Sequence, residues 1–231
     1  RNFSESSGTF SRLDLQAIYA RSLFNFELRT RVSGSFTEGE LAPEHALLPS
    51  SGSFHQRLGS PFFRAEGVMP QSLIDDGLIH YSGGLNMRGY QEHEAVLLQN
   101  SAINRFAFGR AAGLNLEFMF PNPIQNRLRK SNITGAFLDF RTYLFADAGH
   151  IGNALDIGGI SLGNSTVVDF PDLIMDAGIG LALDLNIPDF LGNRRGFILR
   201  YELPIWLSYP LGNDDHVAFR QVIGFGGILR F

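Results

Sequence analysis

The chain has no cysteine and one lysine, Lys130, so disulfide and metal-thiolate chemistry are excluded. The lack of thiols fits an oxidising envelope compartment, as it also fits many cytosolic chains. No stretch approaches the roughly 18 uninterrupted apolar residues of a membrane-spanning helix, which excludes helical membrane spans. Charge is scarce as well, at 18% of residues against about 25% in an ordinary soluble domain. The net charge is -4, and Arg127, Arg129 and Lys130 form only a short basic turn, so nucleic acid is not an expected partner. The six histidines (His45, His55, His80, His93, His150, His216) lack metal-ligating spacing, Gly-x-Ser-x-Gly is absent, and no isolated carboxylate pair stands out. No catalytic residue, metal or cofactor is therefore expected. The chain opens on Arg1-Asn2-Phe3 without a signal peptide, and reads as a mature chain or a piece of one.

What is abundant is phenylalanine (21) and glycine (26), set into alternating stretches. Leu13, Leu15, Ala17 and Tyr19 oppose Arg12, Asp14 and Gln16; a tight turn at Ala20-Arg21-Ser22 leads to Phe24, Phe26, Leu28, Thr30 and Val32 against Asn25, Glu27, Arg29, Arg31 and Ser33. These spacings predict a hairpin. Residues 37–104 break the rhythm with Pro43, Pro49, Pro61 and Pro70, a connection of the length reserved for function.

Alternation resumes at 105, with Phe106, Phe108, Ala112, Leu114, Leu116, Phe118 and Phe120 on one side and Gly113, Asn115 and Glu117 on the other; Arg110 is the one charge among the apolar positions. A polar 12-residue connection follows Pro121 and Pro123. Next, Leu138, Phe140, Thr142, Leu144 and Ala146 oppose Asp139, Arg141, Tyr143, Phe145 and Asp147, and after a long loop over 149–171, Leu173, Met175, Ile179, Leu181, Leu183 and Leu185 oppose Ile174, Asp176, Gly178, Gly180 and Asp184. Phe197, Leu199, Tyr201, Leu203, Ile205, Leu207 and Tyr209 then oppose Arg200, Glu202 and Ser208, with Trp206 and Tyr209 where an interfacial aromatic belt would sit. The last strand is expected to run from Val217 through Phe219, Ile223, Phe225 and Leu229 to Phe231, facing Ala218, Arg220, Gly224, Gly226 and Arg230.

The polar faces are sparse, glycine-rich and of mixed charge, which suits the lumen of a barrel better than the wet face of a soluble β-sandwich. The apolar faces continue for the roughly 10 residues a tilted strand needs to cross a bilayer, and connections alternate short and long. The expected fold is an all-β antiparallel transmembrane β-barrel, in an outer membrane and in contact with its lipids. Seven strands are an odd number, and two open edges have no place in lipid. Either a strand is hidden within 37–80, for example around Phe62 to Val68, or the seven complete a larger barrel, the reading favoured here.

One glycine-flanked stretch in the long connection, Ser82-Gly83-Gly84-Leu85-Asn86-Met87-Arg88-Gly89-Tyr90, reads by itself as an exposed turn with Gly89 at positive φ, or as a tucked-in loop tip. It resembles the Val-Arg-Gly-Phe/Tyr tip of the inward-folded loop in the BamA/TamA and two-partner-secretion transporter superfamily of outer-membrane β-barrels. Phe145-Ala146-Asp147-Ala148-Gly149 is similar to that superfamily's Phe-x-Asp-x-Gly wall motif, and Gly113 with Glu117 to its Gly/Glu motif. Met87 stands where Val or Ile is usual. The resemblance implies that residues 1–231 are the C-terminal part, seven or eight strands, of a 16-stranded barrel with an inward-folded loop at about 37–104. It implies protein insertion or translocation, without enzymatic activity, with the remaining barrel half or N-terminal region, a protein substrate and accessory lipoproteins as partners. The alternative is a barrel that anchors or exports a fused enzyme, a patatin-like lipase or peptidase. The C-terminal positions Phe225, Leu229 and Phe231 resemble the strand signal read by the barrel-assembly machinery.

Alternation independently sets Glu117 and Asp147 on the lumenal face of neighbouring strands, where a desolvated Arg88 needs carboxylate partners. Gly89 would allow close backbone approach, and Tyr90 would pack the tip against the wall.

Overall fold

The computed structural model describes residues 10–39, 65–66, 84–90, 110–130, 137–151, 173–188, 194–210 and 214–228. Its strands are β1 (Phe10–Leu23), β2 (Phe26–Gly39), β3 (Ala65–Glu66), β4 (Arg110–Phe120), β5 (Leu138–Ile151), β6 (Leu173–Pro188), β7 (Arg194–Leu207) and β8 (Val222–Ile228), with helix α1 over Pro123–Lys130. They form one antiparallel sheet in the order β1-β2-β4-β5-β6-β7-β8-β3. The chain is thus all-β in character, with, among the described residues, seven long strands and the two-residue β3, which falls inside the Phe62 to Val68 stretch and pairs with β8. Among the described residues β1 and β3 are the outermost strands. No described helix is long and apolar enough to cross a membrane, which says nothing about strands.

Burial follows the two-residue period, but with the usual polarity reversed. Leu13, Leu15, Val32, Phe36, Leu144, Leu173, Ile179, Leu181, Leu199 and Ile223 are exposed on one face, and Phe26 stacks on Phe118 there with ring centroids 5.1 Å apart. Arg31, Asn115, Glu117, Asp147, Asp176, Arg200 and Glu202 are buried on the other. Arg110 is exposed with the apolar set, as its position in the alternation requires. A sheet that buries charge and exposes leucine is the opposite of what water selects.

Four local expectations are corrected. The first turn is at Phe24-Asn25, not at 20–22, because the alternation continues unbroken to Leu23, which pairs with Phe26. Phe24 adopts φ 55°, a left-handed conformation that is costly for a bulky side chain, with its ring fully in solvent.

The connection after β4 is partly helical, and its basic residues 127, 129 and 130 lie in α1. The helix has a clear start signal: Asn122 Oδ1 accepts the Gln125 backbone N–H at 2.9 Å, and Pro123 occupies the first helical position. Asn122 Nδ2 also donates to the Phe140 carbonyl at 3.2 Å, and the Gln125 side chain bonds Asp139 and the Phe140 N–H, tying α1 to the start of β5.

In β7, Ala177 pairs with Trp206 but Gly178 pairs with Pro204, so Ile205 is an extra residue. Pro204 has no N–H for a regular ladder, and the bulge beside it reverses the facing of the residues beyond it. Leu207, expected among the apolar outward positions, is therefore fully buried, while Ile205 and Trp206 are both exposed. Tyr209 is likewise partly buried against the inner cluster.

The last strand begins at Val222 rather than at Val217. Residues ahead of it follow β7 irregularly, through the bonds Leu207 N–H to His216 O at 2.9 Å and Ala218 N–H to Ile205 O at 3.0 Å. Phe225 lies in β8; Leu229 and Phe231 are outside the described residues, as are Phe106, Phe108 and most of the 37–104 connection.

Candidate functional site

Register, not alternation alone, builds the site. Arg31 pairs with Asn115, Asn115 with Asp147, Asp147 with Asp176, and Asp176 with Leu207, so one transverse row of inward side chains crosses β2, β4, β5, β6 and β7. The segment 84–90 lies on this row with Leu85 through Tyr90 buried, ending in a 3-10 turn over Arg88–Tyr90.

The row reads the backbone of the tip. Arg31 Nη1 donates to the Leu85 carbonyl at 3.2 Å, Asn115 Nδ2 to the Asn86 carbonyl at 3.2 Å, the Arg88 N–H donates to Asp147 Oδ2 at 3.3 Å, and the Gly89 N–H to Asp176 Oδ2 at 3.0 Å. The row members also bind one another, Arg31 Nη1 to Asn115 Oδ1 at 2.5 Å and Asn115 Nδ2 to Asp147 Oδ1 at 2.9 Å. Buried backbone groups require such partners, and here four strands supply one each.

The Arg88 side chain goes further down the same face. It is 0% exposed, with Nη2 2.9 Å from Glu117 Oε1, and Nε 3.3 Å from Asp147 Oδ2 and 3.5 Å from Glu202 Oε1. Its guanidinium carbon is 4.4 Å from the centroid of the Phe145 ring. Burial alone would lower the Arg88 pKa, but Asp147, Glu202 and Glu117 outweigh it and hold the pKa above the ordinary arginine value. The group is a permanent cation.

Tyr90 closes the tip. Its hydroxyl is 3.3 Å from the Met175 carbonyl and from Ser208 Oγ, and accepts the Tyr209 N–H at 3.2 Å. Burial raises its pKa, so the phenol stays protonated and able to donate. Met87 packs with Leu85, Tyr90, Ala111, Ile174 and Leu207 in one apolar cluster.

The glycines serve close approach. Gly89 is in the 3-10 turn with no left-handed φ, contrary to the exposed-turn reading; the left-handed residue of the tip is Asn86, φ 60°. A Cβ on Gly149 would lie 2.6 Å from both Leu85 Cδ1 and Met87 Sδ, and Gly113 is its register partner beneath Leu85.

The structure thus brings Met87, Arg88, Gly89 and Tyr90 together with Gly113, Glu117, Phe145, Asp147 and Gly149. It adds Arg31, Asn115, Tyr143, Asp176, Arg200 and Glu202, which are visible in the sequence only as members of the correct faces. What no pattern of alternation reports is height along the strand, which decides that these residues meet.

Chemically, the arrangement holds a piece of backbone and a cation. Each of its carboxylates has an oxygen engaged by an arginine, an amide N–H or the Tyr143 hydroxyl, and among the described residues no grouping of His, Asp and Glu suits a metal ion. No protein-family model matches the chain, and no curated protein matches it in sequence.

Proposed function

We propose that this chain is the C-terminal part of a 16-stranded outer-membrane barrel of the BamA/TamA/two-partner-secretion superfamily, and that the complete protein inserts or translocates proteins at that membrane. The observation that carries the reading is the reversed sheet: charge is buried beneath an inserted Arg-Gly-Tyr tip while the opposite face presents leucine, isoleucine and phenylalanine outward. In lipid that face is satisfied, and in water it is a large exposed patch.

Dimensions agree with a bilayer. Phe26 and Phe36 stand ten residues apart on the exposed face of β2, which at about 3.3 Å rise and roughly 40° tilt separates two aromatic levels by roughly 25 Å, the height of an outer-membrane apolar band. The two-residue turn at Phe24-Asn25 and the compact helical connection α1 lie at the same end of the sheet, the kind of closely packed connection such barrels carry on one side.

The activity would use backbone edges rather than covalent chemistry. A seam between first and last strands offers unpaired N–H and C=O groups to a substrate strand, and the tip anchored across β2 to β7 sets the shape of the wall beside that seam. The superfamily resemblance, together with the environment of Arg88, favours this over a passive pore.

The test is made in the source cell with the full-length protein. Deleting the gene should reduce the outer-membrane or extracellular level of at least one other protein, with restoration by the parent gene and not by Arg88→Ala at equal barrel abundance. An unchanged envelope and secreted protein profile overturns the reading.

A further inference from the structure

Beyond Arg88, a second buried arginine takes the same carboxylate. Arg200 Nη1, on β7, is 2.6 Å from Glu117 Oε1, the atom that Arg88 Nη2 reaches at 2.9 Å from the tip. Arg200 Nη1 also lies 3.3 Å from the Tyr143 hydroxyl and 3.5 Å from Glu202 Oε1. Tyr143 donates to that same Glu202 oxygen at 2.7 Å, and Arg88 Nε is 3.5 Å from it. Two cations therefore share two carboxylates, with both guanidinium carbons near one ring, 5.9 Å and 5.4 Å from the Tyr143 centroid.

The register explains how residues of β4, β5 and β7 meet across β6. Tyr143 pairs with Gly180, and Gly180 with Glu202, so the intervening strand has no side chain at that level. A Cβ on Gly180 would collide with the Tyr143 ring, which lies across β6 to reach Glu202. Next to Arg200, β8 presents Gly224, and next to Glu202 it presents Val222, so the group ends at β7 and adds no charge from β8 at that level.

From this geometry we infer that Arg200 is a positioning residue that couples seating of the loop tip to β7, so that release of the tip and displacement of the β7–β8 pair occur together. The inference rests on the barrel reading above and names the regulation of its loop. The physical reason is charge. Without Arg200, Glu117 and Glu202 are two buried carboxylates beside one remaining guanidinium that also serves Asp147, and a like-charged buried pair does not hold its geometry. With Arg200 present, moving β7 outward removes a cation from Glu117 and a carboxylate from Arg88 in one step. Contacts that share atoms in this way are energetically non-additive.

These 231 residues contain no cysteine, so a reporter thiol placed among them has no competitor within the segment. A Met87→Cys reporter in the full-length, membrane-inserted protein places the only thiol of this segment at a position that is 0% exposed when the tip is seated, and maleimide labelling reads its release. Arg88→Met and Arg200→Met should each raise the labelling rate about tenfold or more, and the double variant should exceed the faster single by no more than about twofold. Arg200→Lys should recover part of the protection, because it retains the charge without the planar fork.

Labelling of Arg200→Met at the parent rate, slower labelling that marks Arg200 as a competitor of Arg88, or a double variant equal to the product of the singles each overturns the inference. So does a rise in labelling no larger than a lowered thermal unfolding midpoint accounts for. These results leave the barrel reading standing. A parent reporter that already labels as fast as Arg88→Met removes the seated tip itself, and with it both readings.

Discussion

Replacing Gly89 with alanine separates close approach from charge as the cause of tip seating. A Cβ at this position would stand 2.8 Å from Leu207 Cδ2 and 2.9 Å from Asp176 Cβ. The leucine methyl can turn aside, but Asp176 Cβ is fixed by the β6 backbone, so the tip must retreat. Retreat stretches the 3.0 Å bond from the Gly89 N–H to Asp176 Oδ2. Overpacking costs about 1–3 kcal/mol, and a buried oxygen deprived of its donor adds about 1–3 kcal/mol. A central value of about 4 kcal/mol changes the seated-to-released ratio by roughly a thousandfold.

The assay is maleimide labelling of the Met87→Cys reporter in the folded protein, which should accelerate at least about a hundredfold in Gly89→Ala given that shift. Gly34→Ala is the matched control: its Cβ would meet only Phe36 Cε2, at an ordinary 3.6 Å, and labelling should not change. A Gly89→Ala protein as well protected as its parent refutes the close-approach account, and leaves the polar contacts of Arg88, Tyr90 and the transverse row as the anchor.

Two further outcomes are expected. Asn122→Ala removes the cap of α1 and its bond to the Phe140 carbonyl, so the helix should lose about 0.5–2 kcal/mol, seen as faster amide exchange over 123–130 with tip labelling unchanged; unaltered exchange would show that Gln125 alone holds the helix. Deleting Phe231 from the complete protein should lower insertion in cells while refolding into detergent stays nearly intact. Equal loss in both would instead fit simple burial of one ring, about 1.5–3 kcal/mol.

Much of the sheet is legible in the sequence because a strand has a period of two and one face of this sheet is apolar. That period alone assigns Arg31, Asn115, Glu117, Tyr143, Asp147, Asp176, Arg200 and Glu202 to one face, and Leu144 and Leu199 to the other. The Arg-Gly-Tyr stretch stands out because a glycine-flanked arginine in a long connection needs a partner, and Glu117 and Asp147 are available on the correct face. The cap of α1 is also written in Asn122-Pro123, but eight residues of helix between two strands carry too short a period to outweigh the expectation of a loop.

Tertiary structure decided the rest, since alternation carries no information about register. The row from Arg31 to Leu207 exists only because β2, β4, β5, β6 and β7 pair at particular offsets. A single extra residue beside Pro204 turns Leu207 inward, and no periodic pattern contains that irregularity in advance. The sequence by itself determined which side chains share a face, because that depends on the local geometry of each strand. Which of them touch was determined by pairing between strands distant in the chain, and so the shared carboxylates that join Arg88 to Arg200 appear only in the folded sheet.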